Sequence, residues 1–255
     1  MNSISNFPLV VLAFSLVGLW LSARIGGSLR ERKQNLEEEG GKDFDVIMAA
    51  ILTLLALIIG FSFSMAVSRY DQRKNCEEAE ANAIGTEYVR AGLLPASDAV
   101  RVRTLLRNYL DQRVLFYDTR DNRQLQQINA TTAQLETDLW AEVQASAVAQ
   151  ATPVVGLVVS GMNDVLNSQG YTRAAWLYRI PKEAWVMMVV IAVSCNLMIG
   201  FGSRRSGAKG FLFLVLPLVV SMSFFLIADI DSPHGGIILV RPQNLVSLSQ
   251  SLHEH

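Results

Sequence analysis

Four stretches of the chain contain no Asp, Glu, Lys or Arg: residues 1–23, 46–68, 184–203 and 210–228. They are 23, 23, 20 and 19 residues long. A helix rises ~1.5 Å per residue and the hydrocarbon layer is roughly 30 Å thick, so about 20 apolar residues are needed to cross it. Inside lipid each backbone donor and acceptor must be paired within its own segment, so each stretch is expected to be a helix. The spans are placed at about 7–23, 46–68, 184–203 and 210–228. Residues 1–6 hold no Lys or Arg, and no small-x-small cleavage pattern follows, so the first stretch reads as a retained span. Trp20 and Trp185 sit near span ends, where amphipathic rings favour the interface.

Between the second and third spans lies a polar stretch, 69–183, with 13 basic and 14 acidic side chains. Its apolar positions recur at helical spacing. Span 2 is expected to run on through Arg69–Arg90 to the breakers Gly92 and Pro95. Ser97 reads as the N-cap of a second helix carrying Val102, Leu105, Leu106, Tyr109, Leu110 and Phe116. A third carries Leu125, Ile128, Leu135, Leu139 and Val143. Thr152-Pro153 is an N-cap followed by Pro at the first helical position, opening a fourth helix with Val154, Val158, Met162, Val165 and Leu166 before Gly170. No strand alternation or internal repeat is present. The fold class is therefore all-α: an integral membrane protein with four transmembrane helices and a helical domain between helices 2 and 3. It divides into a hairpin (1–68), the helical domain (69–183), a second hairpin (184–228) and a tail (229–255).

Composition adds little to this until it is resolved by position. Hydrophobic types make up 51% of the chain and charged types 18%, but all charge lies outside the four spans, which excludes an ordinary soluble enzyme. Basic residues set orientation. The short loops after spans 1 and 3 hold Arg24, Arg30, Arg32, Lys33, Lys42, Arg204, Arg205 and Lys209, against Arg241 alone in the two tails. Arg69, Arg73, Lys74, Arg173, Arg179 and Lys182 near the ends of the central segment count the other way. Long segments translocate largely regardless of charge, so the helical domain and both termini are expected outside the cytoplasm of an inner (plasma) membrane.

Candidate chemistry is sparse. The three histidines, His234, His253 and His255, all fall near the end of the chain, so a triad or a histidine metal site within the fold is not expected. No nucleotide-binding, zinc or nucleophile-elbow motif occurs. Cys76 and Cys195 read as unpaired thiols. No enzyme activity, cofactor, metal or nucleic-acid partner is expected. No ionisable residue lies deep in a span, which argues against a proton relay.

What remains is a stripe on span 2. Ala49, Thr53, Ala56, Gly60, Ser64 and Ser68 recur every three or four residues. Such a stripe serves close helix packing, or it faces a pore, with Phe61 or Phe63 as an apolar constriction. Asn196 in span 3 shares a face with Gly200 and needs a hydrogen-bond partner. Charges gather at the membrane border: Arg69, Asp71 and Arg73 after span 2, Asp229 and Asp231 after span 4. The two aspartates could attract cations at a pore mouth, or pair with Arg69 or Arg73 and end the helix.

Two stretches carry a resemblance. One is Gly60-Phe-Ser-Phe-Ser-Met-Ala-Val-Ser-Arg-Tyr-Asp-Gln-Arg73, continuing through Glu80-Ala-Asn-Ala-Ile-Gly-Thr86 and Leu93-Leu-Pro95. The other is Leu226-Ile-Ala-Asp-Ile-Asp-Ser-Pro-His-Gly-Gly236 with Val240-Arg-Pro-Gln243. Together they resemble the bacterial bestrophin-like family, with His234 where a basic residue is expected. The resemblance implies a distant likeness to bestrophins, pentameric anion channels with four spans per subunit. It also implies tails and a central segment in the cytoplasm, opposite to the basic-residue count. The leading expectation is a homo-oligomeric, ion-channel-like protein in the lipid bilayer, passing small ions with span 2 near the axis. The alternative is a non-conducting scaffold or sensor whose helical domain binds a partner.

Overall fold

The structure, a computed structural model, describes residues 7–32, 41–202 and 212–253. Among the described residues eight α-helices follow one another: α1 (Pro8–Arg32), α2 (Gly41–Arg90), α3 (Ala96–Asp118), α4 (Asn122–Ala149), α5 (Pro153–Leu177), α6 (Lys182–Gly202), α7 (Leu212–Asp231) and α8 (Gln243–His253). A single 3-10 turn, Ala91–Leu93, follows α2. Among the described residues there is no strand. Four helical stretches among them are long and apolar enough to cross a membrane. The loop cations Lys33, Arg204, Arg205 and Lys209, and His255, lie outside the described residues.

The helices sort into two compact units. The first contains α1, the apolar part of α2, α6 and α7. Here α1 and α6 meet backbone to backbone. A Cβ at Gly26 would collide with the Leu197 carbonyl, and one at Gly200 would collide with that of Ala23 and come within 3.0 Å of the Gly27 nitrogen. Glycine is what lets the two helices approach this closely. Phe44 on α2 packs against Phe201 on α6, ring centroids 6.0 Å apart. Trp185 on α6 meets Phe224 on α7 edge-on at 6.1 Å.

The second unit contains the polar part of α2, with α3, α4, α5 and α8. Its core is the set of stripes read from the sequence: Val102, Leu106, Tyr109 and Leu110 from α3, Leu125, Ile128, Leu139 and Val143 from α4, Val158, Met162 and Val165 from α5. The caps follow local chemistry. The Thr152 hydroxyl accepts from the Val155 amide at 3.3 Å, with Pro153 in the first turn. The Asp121 carboxylate accepts from the Arg123 amide at 3.0 Å.

Three local expectations change. The start of α3 is at Ala96 with Pro95 in the cap position, and the Ser97 hydroxyl turns to Asp98 at 3.1 Å instead of capping. Helix α5 does not end before Gly170 but continues to Leu177, because Thr172, Ala175 and Trp176 are buried along its last two turns. Val154, by contrast, is exposed.

The segment read as a tail contains α8, whose Leu245 is fully buried. Its N-terminus is capped from far away in sequence. The Glu77 carboxylate on α2 accepts from the Asn244 and Leu245 amides, both at 2.9 Å, and from the Asn244 side-chain amide at 2.7 Å. Helix N-termini leave unpaired N–H groups and a positive dipole end, so a buried carboxylate satisfies both there.

Candidate functional site

Along span 2, Leu55, Ser62 and Ala66 are buried against the first unit. They lie seven and four residues apart, on one narrow face at ~100° per residue. Ala49, Thr53, Ala56, Gly60, Ser64 and Ser68 are all exposed. By the same geometry that stripe centres roughly 150° away, on the opposite side of the helix. These positions thus lie away from the face that span 2 buries, Ala56 and Gly60 nearest to α7. A Cβ at Gly60 would meet nothing within 4 Å. The Thr53 hydroxyl donates to the Ala49 carbonyl at 2.8 Å, so it presents its methyl and an oxygen lone pair outward without an unpaired proton. Phe61 and Phe63, both exposed, flank the stripe on either side. Gly60 and Phe63 also border an apolar groove of about 590 Å³ against Val219 and Leu226 of α7.

Asn196 is buried, and its side-chain amide donates to the Ala192 carbonyl one turn back at 2.8 Å. The partner demanded by a mid-span amide is thus found within α6 itself.

At the membrane border the two aspartates organise backbone. Asp229 accepts from the Ile237 amide at 2.7 Å and the Ile238 amide at 2.8 Å, one with each oxygen. Gly236 tucks beneath it, since a Cβ there would lie 2.5 Å from the Asp229 carbonyl. Asp231 accepts from the Ile180 amide at 3.2 Å with one oxygen and 3.4 Å with the other. Ser232 accepts from the Gly235 amide at 3.2 Å. On α2, Arg73 is buried and its Nε donates to the Arg69 carbonyl at 3.2 Å, while Asp71, on the opposite face, is exposed. Arg69 and Arg73 share a face of α2; Asp229 and Asp231 share the end of α7. The backbone-holding role of the aspartates had a signal in the sequence, the Asp-Ser-Pro stop followed by two glycines.

Sequence reading did not anticipate the polar layer inside the helical domain. Arg113 of α3 is 1% exposed and Glu80 of α2 is fully buried; Nε of Arg113 donates to Glu80 Oε1, and Nη2 to Oε2 at 3.4 Å. Thr172 of α5 donates to Glu80 Oε2 at 3.0 Å. The Arg113 guanidinium also lies 4.5 Å from the centre of the Phe116 ring. Glu136 of α4 faces this pair. Burial pushes its carboxyl above the usual range, Arg113 opposes the shift and Glu80 adds to it. Burial and Glu80 raise the Tyr109 phenol well above its ordinary value. Among the described residues no group of three or more His, Cys, Asp or Glu is arranged to hold a metal ion.

An all-helical chain with four membrane spans and a helical domain between the second and third defines a multi-pass membrane protein of the bestrophin fold. A family model, the Bestrophin-like domain, matches residues 9–245, and the chain belongs to that family. Solved structures of a bacterial bestrophin homologue from Klebsiella pneumoniae share the fold. One matches with a TM-score of 0.67 at 15% identity, covering 96% of this chain and 97% of the other. A point variant of that homologue matches with a TM-score of 0.69 at 13% identity, covering 100% and 97%. No curated protein matches the chain in sequence.

Proposed function

We propose that the protein is an ion conduit formed by several copies of the chain, with span 2 of each facing the common axis. The observation that carries this is the position of the span-2 stripe: Thr53, Ser64 and Ser68 are exposed on the side of the helix opposite to buried Leu55, Ser62 and Ala66, with Gly60 at the edge of the groove against α7. Hydroxyl and glycine surface is poorly matched to lipid tails and well matched to a wet lining or to another copy's helix. The bestrophin-like family points to anions as the permeant class. With no formal charge inside the span, selection falls to pore width, backbone and hydroxyl dipoles, and the Phe61 and Phe63 rings.

Ser64→Trp is expected to abolish ion flux in proteoliposomes while leaving the oligomer mass unchanged, because an indole added to each subunit blocks a shared axis. Wild-type flux from an intact Ser64→Trp oligomer would remove span 2 from the axis. Absence of flux from the wild type itself, with the oligomer intact, would favour the scaffold reading. That reading draws on the apolar side chains exposed on the helical domain, such as Val89, Val100 and Val148.

We place the helical domain and both termini outside the cytoplasm, on the strength of the basic residues that cluster in the two short loops. Cys76 is an awkward reporter, since it is half-buried and both burial and Glu80 push its thiol up. Val148, 80% exposed on α4, is better placed. In a Cys76→Ala, Cys195→Ala background, Val148→Cys is expected to react with a membrane-impermeant maleimide in intact cells. Reaction only after permeabilisation would reverse the orientation.

A further inference from the structure

Glu87 lies in the last turn of α2, within the helical domain, and is 0% exposed. Neither carboxyl oxygen has a hydrogen-bond partner among the described residues. What makes room for it is a glycine on α5. A Cβ at Gly161 would collide with Glu87 Oε2 and come within 2.7 Å of Arg90 Nη1. The carboxyl group therefore sits under the α5 backbone, in a notch that it shares with the end of the Arg90 side chain. Two charged groups face it: Arg90 from its own helix, which favours the ionised form, and Asp164 from α5, which opposes it. From α3 come Arg103 and Arg107, which are engaged on Tyr88 instead. Arg103 Nε donates to the Tyr88 carbonyl at 3.1 Å, Arg107 Nη2 donates to the Tyr88 hydroxyl at 2.6 Å, and both guanidinium groups lie over its ring.

We propose that Glu87 is a proton-operated latch between α2 and α5: protonated, it stays in the notch under Gly161, and on losing its proton to solvent it leaves the notch and frees α5 from the end of α2. An uncharged carboxyl without hydrogen bonds costs less in an enclosed site than an ionised one, and the Arg90 guanidinium offsets only part of the difference. Burial, first among the causes, raises this carboxyl to about 8. The closed form thus holds the proton more tightly than the open form, in which Glu87 returns to its ordinary value in water. Rising pH then favours opening by about tenfold per pH unit, until the closed form itself ionises and the effect levels off. The latch needs no assumption about what crosses the membrane.

The test uses the full chain in lipid nanodiscs. Amide hydrogen exchange over residues 153–165, corrected for the intrinsic base catalysis of exchange, is expected to accelerate about tenfold per unit between pH 6 and 8 and then flatten. In Glu87→Gln, which keeps the shape without the charge, it is expected to stay level. The wild-type-minus-variant infrared difference, in which Glu136 cancels, should contain a protonated-carboxyl band that disappears with a midpoint at about 8. Equal exchange profiles in the two proteins, or an equal band, would overturn the latch. Gly161→Ala supplies an independent arm, because its methyl displaces Glu87 at any pH. Fast, pH-insensitive exchange is expected, and a wild-type profile would overturn the proposal as well.

Discussion

Arg113→Ala is expected to destabilise the helical domain by about 3–5 kcal/mol, because it strands the fully buried Glu80 carboxylate. For a protein of this size that corresponds to a fall in Tm of roughly 6–20 °C. The reasoning rests on asymmetry. Burying the pair costs much of what its attraction returns, so the pair as a whole adds little, but removing one member leaves a charge with only Thr172 to bond it. Replacing both, as Glu80→Leu with Arg113→Leu, is accordingly expected to recover most of the loss. Thermal unfolding followed by near-ultraviolet circular dichroism reads both variants. A single variant as stable as the wild type would show that the pair is solvated and not dry.

Gly200→Leu is expected to have the other large effect, in the membrane unit. Overpacking a core commonly costs ~1–3 kcal/mol when neighbouring side chains can move aside. At Gly200 the obstructing atoms are the carbonyl of Ala23 and the amide nitrogen of Gly27. Backbone in a helix cannot rotate away, so α1 and α6 must separate along their length. The expected cost is therefore at the upper end of ~3 kcal/mol or beyond it. It should show as loss of monodisperse protein after detergent extraction. Gly18→Leu, at a position where a Cβ meets nothing within 4 Å, is the matched control and is expected to behave as wild type. Equal behaviour of the two variants would mean that the close crossing does not hold α1 to α6.

The sequence carried the elements well and the polar interior poorly, for a physical reason. Charge-free stretches and apolar stripes are local properties, so α2's continuation to Arg90, the Thr152 cap and the core faces of α3, α4 and α5 were all legible. Glu80 and Arg113 were not. On helices already carrying charges of both signs, each reads as another solvated residue. Only the packing of α2 against α3, 33 residues apart in the chain, reveals that they face each other. Helix α8 was missed because its stripe, Leu245, Leu248 and Leu252, is short and lies among serines at the end of the chain. The span-2 stripe shows the reverse division. Its spacing was visible in sequence, but its direction depends on which face Leu55, Ser62 and Ala66 bury, and that is a tertiary fact.

The capping of α8 by Glu77 also bears on the order of events during synthesis. Asn244 lies 167 residues downstream of Glu77. When the ribosome has delivered α2 to α5, that carboxylate still lacks the amides it will hold, and Leu245 has yet to emerge. Spans 3 and 4 must enter the bilayer before α8 can dock. The domain between the two hairpins is thus translated early but finished late, and a nascent chain stalled before Asn244 would present an open seam to chaperones and proteases.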